Sequence, residues 1–436
     1  MNKISPLQLI LLVVAGFAIV VAVIIFAFNR SNSGSTEAEV VMWGTFSPDL
    51  MINIGRTLQQ SNVDISNIVY IQKDPNTIED EFVSALAEGE GPDLIILNQD
   101  QIISNYNRVI KIPYETFALR DYLNTFISEG DLFASDNGIV AVPLFIDPMV
   151  MYWNKSLFSA AGISSPPKYW SEVMGIAPRL TNSDSNLIVS QSAVALGEFR
   201  NINHAKEIFL NLILQAGNNV VIPNTDENVR GSYKVILDER LGYTVIPTVA
   251  AMNFFTQFSN PTKDVYSWNR SLPNSLDRFI GGDLAMYFGF VSEQNTIRQK
   301  NPNLDFDVST MPQSQNASEP KVFGRMSAIA ISRNSQNPQG AFNAILKLTS
   351  QLVQNQIKIE TGLPPVRRDL LQADPNDPFE SIFFTSALWS KGVREVDAQK
   401  TTEILQSMVE SYVTGRSDAG EAVTKAQTEM ELLLDQ

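Results

Sequence analysis

Cysteine is absent from the 436-residue chain, and histidine occurs once, as His204. The first absence excludes disulfide scaffolds, thiolate metal sites, cysteine nucleophiles and a lipid-modified N-terminal cysteine. The second excludes a histidine zinc cluster, and any serine triad would have to use that single imidazole. Basic residues are scarce too: 32 lysines and arginines against 47 acids leave a formal net charge of −15. With no basic surplus to displace phosphate counterions, nucleic acid is not an expected partner. Phosphate-loop, HExxH and EF-hand patterns are missing, so neither a metal nor a cofactor is expected, and no catalytic residue is assigned. What is present is apolar: 44% of the residues are hydrophobic, ample for a core, and the length suits two or three domains.

Residues 9–28 (LILLVVAGFAIVVAVIIFAF) carry no charge. At about 1.5 Å per residue such a run matches the hydrocarbon thickness of a bilayer, and it is longer than the apolar region of a cleaved signal. We therefore expect residues 1–30 to form an uncleaved signal anchor, a single transmembrane helix with the body outside the cytoplasm. Lys3 and the terminal amine precede the span, and Arg30, Glu37 and Glu39 follow it, a small positive-inside bias toward that orientation. Residues 31–39 read as a flexible tether.

Beyond the tether, short apolar runs alternate with helical stretches. Val40–Trp43 and Ile68–Ile71 are candidate strands. Thr77 is a candidate N-cap for an amphipathic helix with acids in its first turn and Gly89 at its end. Gly91-Pro92 then leads into Leu94–Leu97, completing a strand–helix–strand unit that implies a parallel crossover. Residues 139–143 and 149–153 read as two strands separated by 144–148. Asn154 should cap a short helix closed by Gly162, and Pro178 should end or kink the helix containing Trp170. Asn337-Pro338 reads as an N-cap and first helical residue. Two amphipathic helices, 402–413 and 418–434, close the chain around Gly415. The class is α/β.

Five stretches, in order, resemble the bacterial extracellular solute-binding proteins of ABC importers, in the maltose-binding-protein-like group (family 1). They are VVMWGTF (40–46), FVSALAEGEGPDLIIL (82–97), the 137–173 segment with VPLFIDPMVMYWNKS and PPKYW, FIGGDLAMYFG (279–289), and AIAISRNSQNPQGAFNAILKLTS with TGLPPVRRDLL (328–350 and 361–371). Tyr169 stands where the family usually has a capping threonine, and Trp153 where it usually has tyrosine. The resemblance implies a two-lobe periplasmic-binding-protein fold (type II-like) with a hinge and an interlobe cleft. One lobe would comprise 38–145 plus 321–378, the other 148–318 plus 381–436, with crossings near Asp147, 313–320 and Pro378.

A sugar presents hydroxyls and flat C–H faces, so its receptor needs carboxylates, amides or arginine together with aromatic rings. Trp43, ending the first strand, is a candidate stacking face, with Thr45 behind it as a polar neighbour; a core role is the competing reading for Trp43. The resemblance places Asp147 at the hinge as a ligand carboxylate, against a turn or cap aspartate. It likewise places Asp100 after the third strand, against an N-cap for a helix from Gln101. Phe290 falls where sugar receptors often have an aromatic, and Arg325 where the chain returns to the first lobe, against core packing and a surface ion pair respectively. Trp170 is expected to pack, and His204 to be solvated on the polar face of a helix.

The expected function is a membrane-anchored receptor that captures a small solute, a carbohydrate first of all, and delivers it to ABC permease subunits, as a monomer. A sensory or surface receptor without transport is the alternative. A glycoside-active enzyme using Asp100 and Asp147 is a third reading, since such enzymes need two carboxylates about 5–10 Å apart.

Overall fold

The computed structural model describes residues 38–434, apart from 62, 64, 66, 225–232, 316, 374 and 376. The proposed anchor and most of its tether lie outside the described residues. Among the described residues no helix is long and apolar enough to cross a membrane.

Eleven strands form one mixed sheet: β1 Val40–Gly44, β2 Ile68–Gln72, β3 Leu94–Asn98, β4 Val109–Ile110, β5 Val142–Asn154, β6 Asn182–Ser183, β7 Val189–Val194, β8 Leu284–Phe290, β9 Phe306–Thr310, β10 Val322–Ser332 and β11 Ser390–Lys391. The order is β2-β1-β3-β10-β5-β8-β7-β6, with β4 and β11 also on β10 and β9 also on β5. β1 pairs parallel with β2 and β3, as the strand–helix–strand reading requires, and β10 and β5 run antiparallel to their neighbours in the middle. The whole of β8 and nearly all of β5 are buried, because helices cover the sheet and both strand faces are apolar.

The expected break at 144–148 is not there. β5 is one thirteen-residue strand. Its first half, through Pro148, pairs with β10; from Met149 onward it pairs with β8, and from Val150 with β9. The two prolines are accommodated by an irregularity. The register shifts between Ser327 and Ala328, which leaves Leu144 out of the ladder, and the Leu144 carbonyl accepts instead from Gln354 Nε2 at 3.0 Å. β5 and β10 thus lie side by side where the two halves of the sheet meet, giving a two-lobe α/β fold.

The helix ends follow capping chemistry, with two departures. Asn154 Oδ1 accepts from Leu157 N–H at 3.1 Å and Asn337 Oδ1 from Gly340 N–H at 3.0 Å, as expected. Thr77 stands at the N-cap of Ile78–Glu88, but its hydroxyl donates to Glu81 at 2.6 Å and caps no backbone group. The first C-terminal helix begins at Ala398, four residues earlier than periodicity suggests, because Asp397 accepts from Lys400 N–H at 2.9 Å. At Tyr169 the missing threonine is offset by Glu172, whose carboxylate accepts from Tyr169 N–H at 3.2 Å and Lys168 N–H at 2.6 Å. Pro178 lies inside the helix Trp170–Leu180, which continues two residues past it. Trp170 packs edge-on against Phe254 and Phe288, as expected.

Candidate functional site

A cavity of about 820 Å³ opens against the β5–β10 crossing. It falls within the roughly 300–1,000 Å³ usual for small-molecule sites. Its wall is assembled from segments far apart in the chain: the turn after β1, the turn after β3, the middle of β5, the start of the helix Ala205–Gln215, β10, and residues near 395.

Thr45 and Phe46 come from the first turn, which is anchored by Tyr70 Oη donating to the Phe46 carbonyl at 2.8 Å. Phe46 stacks on Phe145 of β5, with ring centroids 3.9 Å apart and an interplanar angle of 29°. The second turn is held by Gln99, buried between β3 and β10. Its Nε2 donates to the Gly324 carbonyl at 2.9 Å, and its Oε1 accepts from Met326 N–H at 3.0 Å. Asp100 follows. It is not an N-cap: Asn98 occupies that place for the short turn Gln99–Gln101. Asp100 lines the cavity, its Oδ1 is shut from solvent without a hydrogen-bond partner, and burial pushes its carboxyl up, opposed first by Lys206.

Asp147 and Arg325 sit opposite one another in the β5–β10 register. Asp147 Oδ1 accepts from Ser292 N–H at 3.1 Å, and desolvation pushes its carboxyl up to about 6, opposed first by the Ser292 side chain and then by that N–H. The Arg325 guanidinium donates to Glu207 Oε1 at 2.6 Å and approaches His204 Nδ1 at 3.2 Å. Burial alone would raise Glu207, but Arg325 brings its carboxylate below the usual range. His204 Nε2 faces Glu293 Oε1 at 3.1 Å. Arg325 is placed to donate to Nδ1, whereas Nε2 is shut from solvent without a hydrogen-bond partner despite its ion-pair distance to Glu293. Glu293 also accepts from Phe290 N–H at 2.9 Å and from Tyr287 Oη at 3.0 Å. Gly289 makes room for this, since a Cβ there would run into the Glu293 carboxylate. Lys206 pairs with Glu395, which is 3% exposed, at 3.0 and 3.3 Å. Burial pushes Glu395 up to about 7, with Lys206 opposing.

The structure therefore brings Thr45, Asp100, Asp147 and Arg325 to one wall. Trp43 and Phe290 are placed differently. Along β1 the residues Val40, Met42 and Gly44 point into the core, so Trp43 lies on the opposite face, under Lys73 Nζ at 3.9 Å from its ring centroid. Phe290 is fully buried beneath the Arg325 guanidinium, 3.9 Å from its ring, and meets the His204 ring edge-on. It supports the arginine and has no exposed face. His204 is not a solvated helix-face residue either: it is the N-cap of Ala205–Gln215 at φ 59°, tied to Glu293 and Arg325.

Sequence reasoning did not single out Phe46, Phe145, Lys206, Glu207 and Glu395. Glu395 is 3% exposed in the connecting segment after β11, and no local pattern in the sequence announces that burial.

Behind this wall, the buried Glu129 of Ser128–Phe133 packs into the crossing. Gly324 leaves the space its carboxyl needs: a Cβ at 324 would run into Glu129 Oε2. Burial pushes Glu129 up to about 8, with Lys391 and Ser390 pulling the other way.

The family model for "Bacterial extracellular solute-binding protein" matches residues 54–381. Among curated proteins no sequence matches. Solved structures with similar folds include a cyclo/maltodextrin-binding protein complexed with maltotetraose, at TM-score 0.71 and 15% identity over 92% of this chain and 98% of that one. The sugar-binding protein MalE from the phytopathogen Xanthomonas citri aligns at TM-score 0.70 and 16% identity, over 91% and 98%. A cyclic alpha-maltosyl-1,6-maltose binding protein from Arthrobacter globiformis aligns at TM-score 0.72 and 15% identity, over 91% and 99%. With its crossing strands, its cavity at their junction and a family match over most of its length, the chain belongs to the bacterial extracellular solute-binding proteins.

Proposed function

We propose that the protein is the solute receptor of an ABC importer and that it takes a sugar or oligosaccharide in the cleft. The observation that carries this is the pairing of a stacked Phe46–Phe145 face with the hydrogen-bonding groups Asp100, Asp147 and Arg325 around one cavity. A pyranose needs that combination, a flat apolar surface beside charged acceptors and donors. The structural relatives named above are described by the sugars they bind, which supports the same class. In this reading the lobes are 38–145 plus 321–378 and 148–318 plus 381–436, and closure of the lobes buries the ligand. The 9–28 span would keep the receptor at the membrane, presenting the loaded form to permease subunits. No chemical step is required: the carboxylates hold hydroxyls.

The test is a thermal-shift screen of the full chain in detergent against neutral mono- and oligosaccharides, polyols and sugar phosphates. A ligand at 100 times its Kd should add about 2.7 kcal/mol of stability. A flat response to every saccharide overturns the reading. With a ligand in hand, Asp147→Ala is expected to weaken binding at least about tenfold, since a charged hydrogen bond contributes about 1.5–3 kcal/mol. Calorimetric titration checks it, and a melt of the same variant should not fall, since burial already penalises the ionised Asp147 carboxylate. A lowered melt with intact affinity would make Asp147 a structural residue.

A further inference from the structure

Four carboxylates line the cavity, Asp100, Asp147, Glu207 and Glu395, against two permanent cations, Lys206 and Arg325. Both cations are already engaged, Lys206 by Glu395 and Arg325 by Glu207. Asp100 and Asp147 have no ion-pair partner among the described residues. Asp147 receives only the uncharged donors of Ser292, and Asp100 Oδ1 receives nothing. The wall thus carries two negative charges that the protein leaves unbalanced, in a place where water is partly excluded.

We propose that the cleft takes a saccharide bearing a free ammonium group, an amino sugar or short amino-sugar oligomer, with Asp100 and Asp147 receiving the cation and the Phe46–Phe145 pair receiving a ring face. This rests on the sugar-receptor reading above and narrows it. A neutral sugar satisfies acceptors but leaves both charges desolvated on closure, which costs free energy; an ammonium removes that cost. A metal ion would not serve, because among the described residues no three histidine or carboxylate side chains converge closely enough to hold one. A cation carried on a ring spreads its contacts over the wall, and an ammonium over a phenyl face is itself attracted to it. Burial holds both aspartate carboxyls above their ordinary range, Asp147 at about 6, and the opposing pull of Lys206 on Asp100 and of Ser292 and Arg325 on Asp147 does not cancel it.

Calorimetric titration of the full chain in detergent with the glucosamine disaccharide, its di-N-acetyl counterpart and maltotetraose, at about pH 7, tests this. The free amine should bind at least about tenfold tighter than the acetylated disaccharide, and the difference should shrink with added salt. Asp100→Asn and Asp147→Asn, which keep the side-chain shape, should each reduce the preference to about threefold or less. If the acetylated sugar or maltotetraose binds as well as the amine, the cationic ligand is wrong and the sugar-receptor reading stands. If the preference persists in both variants, the assignment to these two carboxylates is wrong. If no saccharide binds in this or the wider screen, both readings fall together.

Discussion

Glu129→Gln is expected to leave stability below about pH 4 unchanged and to make the protein more stable than the parent by up to about 5 kcal/mol above pH 8. The sign follows from the direction of the shift. The unfolded carboxyl releases its proton near its ordinary 4.5, whereas the folded one keeps it until about 8. Folding therefore takes up a proton between those values, and stability falls as pH rises through the window. At roughly 1.4 kcal/mol per unit, the 3.5-unit gap sets the ceiling given above. Glutamine has the same shape and does not ionise, so its curve should lack that slope. Chemical denaturation of parent and variant at about pH 4, 7 and 9 measures it; parallel curves would show that Glu129 already ionises without penalty in the folded protein.

Arg325→Ala should give the second large effect, on stability and binding together. The arginine side chain is 46% exposed while Glu207 is 12% exposed, so solvent screening keeps the ion pair well below the value of a fully buried one. We expect a loss of about 1–2 kcal/mol of stability, because Glu207 is left facing the cavity without its cation. Because Glu207 is held low in the folded protein, the parent's share of this stabilisation is present above the ordinary carboxylate range and lost as pH falls below it. The variant should lack that acid-limb loss. Arg325→Lys should restore the charge and only part of the stability, since a single ammonium cannot reproduce the arginine contacts to Glu207 and His204. Equal stability of parent and alanine variant would show that the pair contributes nothing net.

The fold was legible where one physical signal dominated. β1, β3 and the helix Ile78–Glu88 follow from unbroken apolar runs, a first turn rich in acids and a glycine at the helix end. β5 was misread because Pro143 and Pro148 are strand breakers by local rule, and the bulge at Leu144 that admits them depends on β10 and on Gln354, both distant in sequence. At the site, the family resemblance pointed to Asp100 and Asp147, and the return of the chain to the first lobe to Arg325; all three line the cavity. Trp43 lies off the cavity, on the face of β1 opposite Val40 and Met42, because residue type does not carry the phase of a strand. Lys206, Glu207 and Glu395 look like ordinary solvated charges, two at a helix start and one in a connecting segment. Their partners lie 118 and 189 residues away, a pairing that no local pattern encodes.

The side-by-side crossing of β5 and β10 also decides how this molecule can swing. Sliding one strand along the other would break the ladder bonds that run from 145–148 to 324–327, each contributing about 1 kcal/mol. Flexing the ribbon out of its plane needs only small dihedral changes and breaks none. The lobes therefore have one soft direction, like two leaves on a strap. Points near the strap travel least, and Asp147 and Arg325 are on it. In the receptor reading proposed above, a ligand would settle first against these contacts and the walls farther out would sweep in afterwards, so that residues remote from the pivot would govern how long it stays.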